Sequence, residues 1–74
     1  VTVSPGHAGR GRQGTVRDFD AERGLGTIAG DDGVTYPFHC AEIADGSRHV
    51  DVGARVTFAV IAKLGRYEAA DIAP

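Results

Sequence analysis

At 74 residues the chain holds one domain with a thin core; its 42% hydrophobic content stands well above a disordered composition and is enough for a folded core, and 11 glycines argue for turns rather than long helices. The net charge of −2 gives no overall basic excess of the kind that drives non-specific polyanion binding, although Arg10, Arg12, Arg17 and Arg23 gather in the first third. A single cysteine excludes an intrachain disulfide, and no apolar run approaches the ~20 residues that span a bilayer.

Residues 1–13 contain Pro5, Gly6, Gly9 and Gly11 without apolar periodicity and read as a flexible arm; the folded domain is expected over 14–74. Thr15 to Phe19 predicts a first strand with Val16 inward, and Asp20 to Gly24 predicts a turn. Leu25 to Ala29 is a second strand, closed by the Asp-Gly signature of Asp31-Asp32-Gly33. Val34 to Phe38 alternates so that Val34, Tyr36 and Phe38 share one face, and Pro37, which cannot donate a ladder hydrogen bond, predicts an open side there. Ala41 to Ile43 is long enough for one helical turn, and Ala44 to Val52 reads as a loop. Ala54 to Ala62 is the longest strand, with Val56, Phe58 and Val60 inward; Lys63-Leu64-Gly65 turns the chain into a last strand, Arg66 to Ile72. Five short strands at this spacing predict an all-β fold, a small antiparallel barrel with few open edges.

Familiar chemistry is sparse. Gly24 to Ala29 fits a loose G-x-G-x-x-A pattern, but the turn at Asp31 leaves no place for the helix a dinucleotide site requires. His39, Cys40 and Glu42 lack further ligands at metal spacing, and His7 and His49 fall in predicted loops with nothing to pair them. Without a nucleophile–base–orienter set, no enzyme and no cofactor are expected. The first residues carry no charged segment followed by an apolar run, so no secretory signal is read and a cytoplasmic monomer is the default.

The informative pattern is distributed. Gly14-Thr15-Val16-Arg17-Asp18-Phe19-Asp20, Glu22 to Ile28, Asp31-Asp32-Gly33 and Phe38-His39 with Ile43 resemble the cold-shock domain family, and the likeness continues through Gly46, Gly53, Val56, Phe58, Gly65 and Ala69-Ala70. The resemblance implies a five-stranded antiparallel barrel of the oligonucleotide-binding type and a role in binding single-stranded RNA or DNA. In the family the first strand usually reads Gly-Thr-Val-Lys-Trp-Phe-Asn, followed by motifs close to Lys-Gly-Phe-Gly-Phe-Ile and Val-Phe-Val-His-Phe. Outward rings stack bases and lysines meet phosphates.

Here the ring positions are Asp18, Leu25, Thr27, Pro37 and Cys40, and a loop aromatic aligns loosely with Ser47. The resemblance leaves Phe19 and His39 to stack, with Arg17, Arg23 and Arg12, joined by Lys63 and Arg66, to meet phosphates; Leu25 and Thr27 complete the expected contact set. Stacking contributes ~1–3 kcal/mol per base, so five altered positions predict a loss on the order of 5 kcal/mol, several thousandfold in affinity. A competing expectation is a protein-interaction module, in which Asp18, Leu25, Pro37 and Cys40 form a mixed apolar–acidic patch for a protein partner. Tyr67, near the start of the last strand, is a candidate replacement ring.

Overall fold

A computed structural model describes residues 11–74, and the bulk of the arm expected over 1–13 lies outside them. Five strands follow in order: β1 (Arg12–Asp20), β2 (Leu25–Gly30), β3 (Thr35–His39), β4 (Arg55–Lys63) and β5 (Arg66–Ala73). One turn of 3₁₀ helix, Cys40–Glu42, follows β3 and is the only helical element among the described residues. The strands form one antiparallel sheet in the order β3-β2-β1-β4-β5. Past the 3₁₀ turn, Ile43 bridges Ile72 in parallel and the Ala44 N–H donates to the Ile72 carbonyl at 2.7 Å. This brings the β3 end of the sheet against β5 and closes the barrel expected from the spacing. Pro37 lies on β3, an end strand whose ladder is with β2 alone, as its missing N–H requires.

Two bulges set the curvature. In β1, Val16 faces Ile28 and Asp18 faces Thr27, so Arg17 is an extra residue without a ladder partner on β2. Gly14 and Val16 point inward, Arg17 and Asp18 are both exposed, and Phe19 turns back towards the core. In β5, Thr57 faces Ala73 and Ala59 faces Ala70; Asp71 within that interval takes a left-handed φ of 53°, and Ile72 is buried. Extra residues of this kind bend and twist a strand, which an eight- or nine-residue strand needs in order to wrap a small barrel.

Val16, Ile28, Tyr36, Phe38, Ile43, Val56, Phe58, Ala69 and Ile72 make the core. Tyr36 is buried with its hydroxyl satisfied, donating to Asp32 Oδ2 at 2.6 Å. Two expected core positions differ. Val34 is 48% exposed because it belongs to the turn: its N–H donates to Asp32 Oδ1, its carbonyl accepts from Gly30, and the strand starts one residue later. Val60 is half-buried at the margin of the cluster. Arg12 and Gln13, expected at the end of the arm, are strand residues that pair with Phe58 and Thr57.

The Gly24-x-Gly26 spacing has a steric cause. Gly24 ends the β1–β2 turn at φ 69°, its N–H donating to the Asp20 carbonyl at 2.8 Å. A Cβ on Gly26 would stand 2.6 Å from both the Asp18 carbonyl oxygen and Cζ of Phe38, so the chain passes against the core ring only without one.

Candidate nucleic-acid interface

The register of β1, β2 and β3 builds a small outward lattice. Asp20, Leu25 and His39 form one cross-strand row; Asp18, Thr27 and Pro37 form the next. Directly opposed side chains in such rows stand about 5 Å apart, and period-two alternation sends Leu25 and Thr27 outward while Gly26 and Ile28 face in. The β1 bulge is what puts Asp18 on this lattice. The six residues line a groove of about 560 Å³, completed by Arg23 from the β1–β2 turn and by Lys63, Arg66 and Glu68 from the β4–β5 hairpin.

Six of the expected contact residues therefore come together: Arg23, Leu25, Thr27, His39, Lys63 and Arg66. Arg17 is exposed at the bulge and does not line the groove. Phe19 is turned away from it: its ring lies parallel to the Phe38 ring at 5.9 Å between centroids and meets the His49 ring edge-on, also at 5.9 Å. The bulge reverses the alternation expected of β1, so the residue read as a stacking platform packs on the core instead. Arg12 is likewise diverted, donating to Asp32 Oδ2 at 3.1 Å beside the Tyr36 hydroxyl. Tyr67 projects from β5 between Arg66 and Glu68 and is 66% exposed, but alternation places it on the other side of the strand from those two groove residues. His49 has a partner after all, Asp51 Oδ1 at 3.1 Å.

The groove's polar groups are mostly committed. Asp20 Oδ1 accepts the Glu22 and Arg23 N–H groups and holds the turn. His39 Nδ1 accepts the Ala41 N–H at 3.1 Å, capping the 3₁₀ turn, so the proton of a neutral ring sits on Nε2. Cys40 packs over Gly24, its N–H donating to the Gly24 carbonyl at 2.7 Å and its Sγ 3.9 Å from His39 Nδ1. Arg66 donates its Nε–H to Glu68 Oε2 at 3.1 Å, and its Nη2 is ion-paired to the same oxygen at 3.0 Å. Thr27 Oγ1 is buried without a hydrogen-bond partner among the described residues. Three carboxylates (Asp18, Asp20, Glu68) face three cations (Arg23, Lys63, Arg66), which brings the groove's carboxylate and cation charges into balance. Glu68 and Asp20 were not anticipated here; the outward pairing of Arg66 with Glu68 two residues on in β5 is the signal that would have located the first.

The family model described as the 'Cold-shock' DNA-binding domain matches residues 12–74. This chain belongs to the cold-shock domain family. It is also similar to Cold shock protein 2 of Lactiplantibacillus plantarum, 40% identical over 48 residues that cover 64% of this chain and 73% of that protein. The family is a nucleic-acid-binding one, and the lattice on β1–β3 is where the resemblance puts its stacking rings. In this cold-shock domain four of the five replaced ring positions, Asp18, Leu25, Thr27 and Pro37, line the groove, while Cys40 sits just beyond it over Gly24. No helix among the described residues is long and apolar enough to cross a membrane.

Proposed function

We propose that this cold-shock domain binds single-stranded RNA or DNA in the groove over β1–β3, more weakly than members that keep the aromatic face. The observation that supports the reading is the convergence of His39, Leu25, Thr27, Arg23, Lys63 and Arg66 around one groove, drawn from four strands and a turn. Bases lie on His39, Leu25 and Pro37, and Arg23 and Lys63 approach the phosphates. Without aromatic rings at five positions, each stacked base contributes less than the usual ~1–3 kcal/mol.

Titration of labelled oligo-dT or oligo-U at low salt is the test. Saturable binding that weakens with added salt and is lost in His39→Ala is the expected result. No measurable binding at micromolar protein and about 50 mM salt overturns the reading.

A second reading draws on the near-neutral charge of the groove together with Leu25, which is 46% exposed. A mixed apolar and charge-balanced groove also suits a polypeptide partner, and Leu25→Asp should then remove a specific band from a pull-down. Identical bands with wild type and variant count against that alternative.

A further inference from the structure

The three groove cations are not equivalent. Among the described residues neither Arg23 nor Lys63 has an acidic partner, whereas Arg66 donates its Nε–H to Glu68 Oε2 and stands ion-paired to the same carboxylate through a terminal nitrogen. Arg66 and Glu68 stand two residues apart on β5 and therefore share a face, and both line the groove. The pair is asymmetric in exposure: the Arg66 side chain is 68% exposed and that of Glu68 only 13%. The carboxylate is thus the fixed member, packed into the groove wall, and the guanidinium folds onto it.

A phosphate that approaches Arg66 meets a guanidinium held along its Nε edge and a carboxylate of its own sign beside it. It either shares Arg66 with that carboxylate, at the cost of its like charge, or takes the guanidinium by exchange and leaves a largely sequestered carboxylate without its partner. Arg23 and Lys63 impose no such exchange.

We propose that Glu68 is a selectivity residue of this groove: by holding Arg66 it withdraws one cation from phosphate contact and leaves Arg23 and Lys63 to meet the backbone. The inference rests on the nucleic-acid reading above and deepens it. A groove with two available cations around an apolar floor takes its ligand mainly through bases, and its affinity depends only shallowly on salt.

Counterion release gives the readout. Each phosphate contact on a single strand adds about −0.7 to the slope of log K against log salt, so two contacts predict about −1.4 for the wild type. Glu68→Gln frees Arg66, steepening the slope to about −2.1 and raising low-salt affinity several-fold. In Glu68→Gln/Arg66→Ala the slope returns to about −1.4. Glu68→Ala serves as a second relief variant should the glutamine disturb the fold, checked by circular dichroism. In the free protein, the Arg66 Nε–H resonance should be sharp in the wild type and broaden in Glu68→Gln.

An unchanged slope in both relief variants, or a steepening that survives removal of Arg66, overturns the proposal while leaving the nucleic-acid reading in place. An Arg66 resonance unaffected by Glu68→Gln also overturns it. Absence of oligo-dT binding in every variant, including the relieved ones, overturns both.

Discussion

Leu64 occupies the first loop position of the β4–β5 hairpin, between the paired residues Lys63 and Arg66. A two-residue loop with φ of 48° at Leu64 and 83° at Gly65 has the positive angles of the type I′ turn, which favours Asn-Gly. The leucine side chain is fully exposed, so the folded state gains nothing from it. Its Cβ meets the left-handed conformation at a cost of roughly 1–2 kcal/mol, of which asparagine recovers a part. Leu64→Asn is therefore expected to stabilise the domain by about 0.5–1 kcal/mol, or a few degrees in Tm for a chain of this size. Urea unfolding followed by circular dichroism should show a higher midpoint with an unchanged m value. Leu64→Ala is the control: it deletes the exposed hydrophobe but keeps the Cβ, and should gain little. Equal stabilisation by alanine and asparagine, or none by asparagine, would refute the backbone explanation. The turn also carries the groove, since Lys63 and Arg66 are the residues it brings opposite one another.

Gly26→Ala forces a Cβ against the Asp18 carbonyl and the Phe38 ring and should destabilise by about 3 kcal/mol, read as a lowered urea midpoint or loss of the folded signal. Thr27→Val removes a buried hydroxyl that has no partner and should leave stability unchanged or raise it by about 1 kcal/mol; a clear loss would show that Oγ1 is satisfied. Asp32 is held below the usual carboxylate range, first by the Tyr36 hydroxyl and then by the Val34 N–H, with the Arg12 charge a smaller cause. Its folded state binds protons less readily than the unfolded chain, so this contribution is complete above the ordinary carboxylate range and is lost as pH falls through the folded value. Asp32→Asn should flatten the acid limb of a Tm–pH profile, and an unaltered limb would count against it.

Most of the barrel was legible because its signals are local. Alternation over Tyr36 and Phe38 and over Val56 and Phe58 requires only one strand, and the Gly33 and Gly65 turns announce themselves within four residues. What escaped depends on pairing. A bulge is a decision between two strands, so nothing in the run from Val16 to Asp20 reveals that Arg17 is unmatched and Phe19 turned inward. Arg12 and Asp32 lie 20 residues apart in sequence, and this partner diverted a cation that a linear reading left available. Glu68 was missed although its pairing with Arg66 two residues away is local: that this face of β5 lines the groove is visible only once β5 stands beside the β1–β3 face.

Barrel and binding face are carried by alternate residues of the same strands, which is why one can change while the other persists. On β2, Gly26 and Ile28 serve the interior, and Leu25 and Thr27 serve the groove. Replacing a large outward ring by leucine or threonine removes contact with a ligand while leaving the core packing intact, so membership of the family fixes the scaffold more firmly than the affinity. The cost to the fold is local, and Thr27 shows it: a short side chain on the lattice leaves its hydroxyl covered and unpartnered. The electrostatic change reinforces the steric one. Asp18 and Glu68 bring the groove close to neutrality, and Glu68 does so by occupying Arg66 rather than by merely adding charge. Under the nucleic-acid reading proposed above, a ligand draws its affinity mainly from the apolar floor of Leu25 and Pro37 and from the His39 ring, with Arg23 and Lys63 adding the phosphate contacts. Shallow salt dependence, rather than weak affinity alone, is therefore the signature that separates a rewritten groove from a merely eroded one, because loss of rings lowers affinity without altering the count of phosphate contacts.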